Sequence, residues 1–337
     1  MAALNTSNRP QASQGRLEEL VVRLAEPHDA GAVRVLFRKI FNEEMSHRHW
    51  EWKYLRPESR AVVVYKDDSL LAHYGGVGTD IVLEGKKSKA MQIADLMVDP
   101  DARNAIRSRS PFYLSGKKFL ESTVGYDNDF LLAYGFPSDR AMRLSERLGF
   151  FAPVGRMMEI QWDASKTKPS WFEKIVPVTK ENFDEYSADL NSLWKSFQKL
   201  FKDKIICRKD AEFVRWRYLE HPSKGYNIHL IKNRISGKPS ALLVLKFENS
   251  SVMLMDLVTR SFDLTKAITT AKCIASENKK SDLTTWCSDS FIDIFKTINA
   301  RVREIPVVIP ACIATPGPPV ESQKMKWWFM PGDTDYL

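Results

Sequence analysis

The chain has 337 residues, a length that suits two ordinary domains. With 44% apolar and 27% charged residues it has the make-up of a globular protein, and no apolar run approaches the roughly 20 residues that cross a bilayer. The net charge of +8 favours anionic partners, yet the basic residues are spread over both halves without a long Lys/Arg run, a zinc finger or an RNP-like motif, so nucleic acid is not expected as a partner.

Residues 1–16 are polar and lack an apolar segment, which reads as a disordered tail rather than a signal peptide. Leu20 to Leu24 is an apolar strand, Glu26-Pro27-His28-Asp29 a turn, and Ala30 to Phe41 has helical spacing. Strands are expected at Ala61 to Tyr65, at Leu70 to Val82 and at Met91 to Val98. Gly75, Gly76 and Gly78 suggest a bulge or bend in the second of these. A helix over Phe112 to Val124, a strand over Phe130 to Tyr134, a helix over Asp139 to Leu148 and a closing strand over Val154 to Trp162 follow. Asp163 to Pro177, rich in Lys, Ser and Pro, is a linker. The same order then recurs: strand (Ile175 to Val178), helical region (Glu181 to Phe197), a hairpin around Ser236-Gly237-Lys238, strand (Val252 to Val258), helix (Leu264 to Asn278) and strand (Leu283 to Cys287). A helix (Ser290 to Ile298) and late strands at Ile305 to Ile309 and Trp327 to Met330 complete it.

Two short blocks are also written twice. Trp52-Lys53-Tyr54-Leu55-Arg56-Pro57 returns as Trp216-Arg217-Tyr218-Leu219-Glu220-His221-Pro222, and Ala94-Asp95-Leu96-Met97-Val98 as Met255-Asp256-Leu257-Val258-Thr259. A spacing this large is one domain, not a solenoid unit. The expected fold class is α/β, with two tandem domains at 17–163 and 164–337, each a mixed, mostly antiparallel sheet with flanking helices. The four cysteines, Cys207, Cys273, Cys287 and Cys312, form no CxxC pair and have no His at zinc-ligand spacing. A reduced, cytoplasmic setting is therefore expected. His47 and His49 alone have no further ligand nearby, so no metal is expected.

Asp95-Leu96-Met97-Val98-Asp99-Pro100-Asp101-Ala102-Arg103, leading into a basic loop and helix, resembles the GNAT acyltransferase superfamily in a tandem form. Leu132 to Ser138 and Ala141 to Phe150 support the resemblance, whose motifs are confined to residues 91–150. It implies that acetyl-CoA, or another acyl-CoA, is the co-substrate, bound by Leu96, Met97 and Val98 and by the loop and helix start of Arg103, Arg107, Ser108, Arg109, Ser110 and Phe112. Independently of any family, a helix start capped by Ser110 with Pro111 at its first position, beside three arginines, suits a diphosphate. The family's Arg/Gln-x-x-Gly-x-Gly/Ala loop would place its glycines at Ile106 and Ser108, so either those glycines are replaced or a longer loop makes Arg107 to Ser110 the cradle; the helix-start signals favour the longer loop. The second copy has only Thr259-Arg260-Ser261-Phe262-Asp263 there and is not expected to bind CoA.

By the same resemblance the two strands around Leu96 and Tyr134 splay apart, a backbone N–H polarises the thioester carbonyl, and a carboxylate takes the amine's proton. Asp95 is the candidate base, although Asp256 stands at the same place in the copy without a cofactor loop. Ser145 occupies the place where the family often has a tyrosine acid, leaving Tyr134 and Ser138 as substitutes. The implied activity is N-acyl transfer to an amino group of a small molecule or sugar. A catalytically inactive binding module, or an enzyme using acyl carrier protein or aminoacyl-tRNA as donor, are the alternatives. The oligomeric state is left open.

Overall fold

The structure, a computed structural model, describes residues 20–103 and 110–334. The expected tail at 1–16 lies outside them. In the first half β1 (Val21–Leu24) and α1 (Ala30–Phe41) are followed by α2 (His47–Tyr54), β2 (Arg60–Lys66), β3 (Ser69–Leu83), β4 (Lys86–Val98), α3 (Pro111–Thr123), β5 (Leu132–Tyr134), α4 (Asp139–Arg147) and β6 (Phe151–Asp163). The second half runs β7 (Glu173–Val178), α5 (Phe183–Phe197), β8 (Ile205–Cys207), α6 (Ala211–Val214), β9 (Asn227–Asn233), β10 (Pro239–Phe247), β11 (Ser251–Thr259), α7 (Thr265–Glu277), β12 (Asp282–Ser288), α8 (Ile292–Lys296), β13 (Arg301–Cys312), α9 (Val320–Gln323) and β14 (Trp327–Trp328).

Each half builds an antiparallel meander and then one parallel joint, as the repeated order predicts. β1 to β4 pair antiparallel in sequence and β4 meets β5 in parallel. β7, β9, β10 and β11 do the same, and β11 meets β12 in parallel.

Beyond that joint the two sheets exchange strands. β6 does not close the first sheet; it lies between β12 and β13 in the second, whose order is β13-β6-β12-β11-β10-β9-β7. The first sheet in turn takes β8 beside β3 and β14 beside β8. β13 also passes beside β5, and just beyond β5 the Val308 amide donates to the Pro137 carbonyl at 2.9 Å. The linker expected at Asp163 to Pro177 is shorter, since Asp163 ends β6 and Glu173 to Pro177 belong to β7, and it divides the sequence but not the sheets.

Side chains of the late segment alternate between the two cores, as a strand dictates. Trp327 and Phe329 face a core shared with Tyr134, Met157 and Ile205. Trp328 and Met330 face the second-half core with Phe197, Phe201 and Phe295. All four are at most 2% exposed.

The glycines of β3 make room rather than a bulge. None of Gly75, Gly76 or Gly78 has positive φ. A Cβ at Gly76 would lie 2.6 Å from the Met91 sulfur and 2.9 Å from the Phe119 ring, and one at Gly75 would strike the Tyr54 hydroxyl. The irregularity near the glycines is in the neighbouring strand: β3 keeps one residue between His73 and Gly75 where β4 has two between Ala94 and Met97. Asp95 is the bulged residue, at φ +49°.

Candidate active site

β4 pairs with β5 only at Ala90 to Gln92, opposite Leu132 to Tyr134. After that the strands part, and the bulge at Asp95 turns the freed edge of β4 toward a cleft of about 710 Å³. Ile93, Ala94, Asp95 and Leu96 form one wall, and Gly135, Phe136 and Pro137 the other. α4 contributes Ala141, Met142 and Ser145. α1 and the turn after it supply Phe37, Phe41, Glu43, Glu44 and Met45, and α2 supplies His49 and Lys53. Ser223, Lys224 and Pro310 come from the second half, so both copies build one site.

The Asp95 carboxylate is held from below. Lys53 Nζ lies 2.9 Å away and the Tyr54 hydroxyl donates at 2.6 Å, while the Asp95 carbonyl accepts from His73 Nδ1 at 2.8 Å. Burial pushes the carboxyl up, but the Lys53 charge and the Tyr54 hydrogen bond outweigh it and hold Asp95 below the usual carboxylate range. Burial holds the His73 imidazole below its ordinary value.

The second copy repeats the motif with different parts. Tyr218 donates to Asp256, and Lys209 Nζ sits 2.8 Å from Asp256 and 2.6 Å from Asp333. Arg217, in the place of Lys53, instead donates to the carbonyls of Gly332 (3.2 Å) and Thr334 (2.9 Å). The splay between β11 and β12, the counterpart of the cleft, is filled by the 327–334 segment: the Phe329 amide donates to Ser288 Oγ at 2.8 Å, and Gly332 packs against Asp256.

The two repeated tryptophans meet. Trp52 and Trp216 stack with centroids 4.9 Å apart at 15°. Each indole N–H donates to the other's carbonyl, at 3.0 and 3.5 Å. That reciprocity places the approximate two-fold axis relating the halves between these rings. His221 lies beside them, 4.5 Å from the Trp52 ring, and its Nδ1 accepts the amides of Ser223 (3.3 Å) and Lys224 (3.1 Å) that border the cleft.

Residues 21–109 match the family model of the acetyltransferase (GNAT) domain. The fold is similar to that of a probable N-acyltransferase from Enterococcus faecalis, with TM-score 0.69 and 13% identity over 88% of this chain and 73% of that one. A GCN5-related N-acetyltransferase from Anabaena variabilis gives TM-score 0.65 and 12% identity over the same shares. Saccharomyces cerevisiae N-myristoyltransferase with bound myristoyl-CoA gives 0.55 and 12% over 94% and 89%. The chain is a GNAT-fold protein, with a GNAT domain at residues 21–109. No curated protein matches it by sequence.

Within this GNAT fold the residues singled out from the sequence separate clearly. Asp95 and Leu96 line the cleft. Met97 turns the other way, buried against α1 with Val33 and Leu36, and Val98 ends β4 half-buried. Tyr134 is buried away from the cleft between Trp327 and Phe329, its hydroxyl 3.6 Å from the Cys207 sulfur. Ser138 is the N-cap of α4, accepting the Ala141 amide at 3.3 Å. Neither of those two lines the cleft, whereas Ser145 does. Ser110 caps α3 through the Tyr113 amide at 3.2 Å with Pro111 at the first position, as expected, and Phe112 packs toward Tyr74 and Phe150. Arg103 ends the short turn after β4. Arg107, Ser108 and Arg109 lie outside the described residues.

His47 packs on Trp50 and faces Glu51, and among the described residues no three His, Cys, Asp or Glu side chains converge as a metal site. The four cysteines are free thiols, and no described helix is long and apolar enough to cross a membrane. From the sequence His49 was weighed only as a metal ligand and Lys53 only as part of the repeated block, and the Ser223-Lys224 turn was not singled out. Their signal was adjacency to the repeated tryptophan block, which the fold brings to the axis between the halves.

Proposed function

We propose that the chain transfers an acyl group from acyl-CoA to an amine held in the cleft between its halves. The parting of β4 from β5 at a bulge, which opens the Ile93 to Leu96 edge onto a cleft of about 710 Å³, is the observation that carries this reading. Backbone N–H groups on such an edge are fixed before the reaction and can stabilise the oxyanion that forms when the amine adds to the thioester carbonyl. That addition makes the C–N bond; collapse of the intermediate re-forms the carbonyl, breaks the C–S bond and releases the CoA thiolate, which takes up a proton from solvent as the new amide nitrogen gives one up. The start of α3, capped by Ser110, suits the diphosphate of CoA.

The ammonium must first lose its proton. The Asp95 carboxylate is occupied by Lys53 and Tyr54, so we assign it to fixing the bulge, and assign the proton to His49, whose residue type accepts protons near neutrality. The acceptor is a small molecule or sugar amine, placed between α1 and the Ser223-Lys224 turn. One observation favours a second reading. Ser145, in the place of the family's tyrosine, offers no acid for the leaving thiolate, as expected of an inactive acyl-CoA-binding module.

Calorimetry with acetyl-CoA and longer acyl-CoAs tests both. Wild type should bind, and Ala141→Trp, which fills the cleft from an exposed position on α4, should weaken binding at least about tenfold, the loss expected when a ligand's pocket is blocked. No binding by wild type rejects both readings. Binding without thiol release over a panel of amines leaves the inactive module. Turnover that survives His49→Ala at the wild-type rate removes His49 from the mechanism.

A further inference from the structure

The two most exposed large apolar side chains among the described residues are Ile235 at 75% and Trp171 at 73%, and they lie at one corner of the second sheet. Trp171 and Phe172 form the turn before β7, with rings 5.4 Å apart and edge to face. β7 pairs with β9 from Glu173 opposite Asn233, which brings this turn beside the β9–β10 turn that carries Ile235. Arg234 ties the two turns together: its amide donates to the Phe172 carbonyl at 2.7 Å, its Nε to that of Trp171 at 2.9 Å and an Nη to that of Glu173 at 3.1 Å. Three large apolar groups are thus held out into solvent on a braced frame.

The surrounding charge is of one sign. Lys168, Lys174, Arg234 and Lys238 are exposed on the same two segments, and within 165–175 and 232–239 the one acid is Glu173, half-buried. An exposed Trp-Phe-Ile tip costs free energy in water and is stabilised at the boundary between lipid headgroups and acyl chains, where aromatic rings settle. A ring of cations around such a tip complements anionic headgroups. Because the turns are already braced, little conformational freedom is lost on docking.

We propose that this corner docks the chain on an anionic lipid surface, with Trp171, Phe172 and Ile235 dipping below the headgroups and the four cations resting on them. The proposal stands independently of acyl transfer. Flotation of the full chain with phosphatidylcholine vesicles, with and without phosphatidylserine, tests it. Wild type should float with the anionic vesicles, less so with neutral ones, and should be released by high salt. The variant Trp171→Ser/Phe172→Ser/Ile235→Ser should lose at least about tenfold in partitioning, and Lys168→Glu/Lys174→Glu/Lys238→Glu should lose the preference for phosphatidylserine. All six positions are exposed, so both variants should keep the wild-type melting temperature; if the apolar variant melts earlier, Ile235→Ser alone, at a turn tip, replaces it. Wild type that stays with the aqueous fraction overturns the proposal. So does an apolar variant that floats as well as wild type, because overall basic charge would then account for the binding.

Discussion

At the scale of single residues, the buried Lys53–Asp95 pair is worth more intact than either partner alone. Lys53→Met leaves Asp95 without its counter-charge where water is nearly excluded, and should destabilise by about 3–5 kcal/mol. Tyr54→Phe removes one hydrogen bond to the same carboxylate and should cost about 1.5–3 kcal/mol. Urea unfolding measures both, and a Lys53→Met loss well under 1 kcal/mol would mean that the carboxylate is solvated or protonated. Buried histidines set the response to pH. Burial, reinforced for His221 by nearby Arg217, holds His73, His221 and His229 below the ordinary value, His221 at about 3. The unfolded chain takes these protons near pH 6.5 while the folded chain resists them. Stability is therefore complete above about pH 6.5 and drains as pH falls toward the folded values. The urea midpoint should drop between pH 7.5 and 5, and His221→Asn, whose amide oxygen can still accept the Ser223 and Lys224 amides, should flatten the profile. An unchanged wild-type midpoint over that range would contradict the burial of these rings.

Among the elements, the start of α3 was plain in the sequence because a Ser-Pro helix start is a local signal, decided by orphan amide groups within one turn. α2 was not. Its eight residues are polar and aromatic, with no apolar stripe, and its position depends on Trp52 finding Trp216 across the molecule. The site divided along the same line. The splayed cleft and the place of Leu96 followed from the motif, while His49, Lys53 and Lys224 reach the cleft only through α2 and its counterpart. Tyr134 misled because a strand's two faces cannot be told apart when both are buried. Two elements give sharp tests. A double-mutant cycle on Trp52→Ala and Trp216→Ala should return a coupling of about 0.5–1.5 kcal/mol, as stacked aromatic pairs do, and zero coupling would deny the contact. Trp328→Ala should cost about 3–5 kcal/mol, since its ring is packed among Phe197, Phe201, Phe291 and Phe295. A loss below 1 kcal/mol in a thermal or urea melt would place that ring outside the core.

For the whole molecule, the repeat predicted two like halves but not that they trade strands. Period-two patterning tells which residues form a strand and which face is apolar; it is silent on the partner, because β6 reads the same beside β5 or beside β12. The interlock predicts that residues 20–163 alone, lacking β8, β13 and β14 and with β6 unpaired, do not form a stable monomer. Circular dichroism and limited proteolysis of that fragment, alone and mixed with residues 164–337, would check it; a fragment that melts cooperatively alone would refute the interdependence. The segment that fills the second splay also sets an order of events during protein synthesis. Domains ordinarily fold as they leave the ribosome, first half first. Here the first sheet needs β14 and the second needs the plug that follows it, so neither half can be completed until translation has passed Thr334. A stop codon shortly before Trp327 would leave two unfinished halves, both exposed to chaperones and proteases.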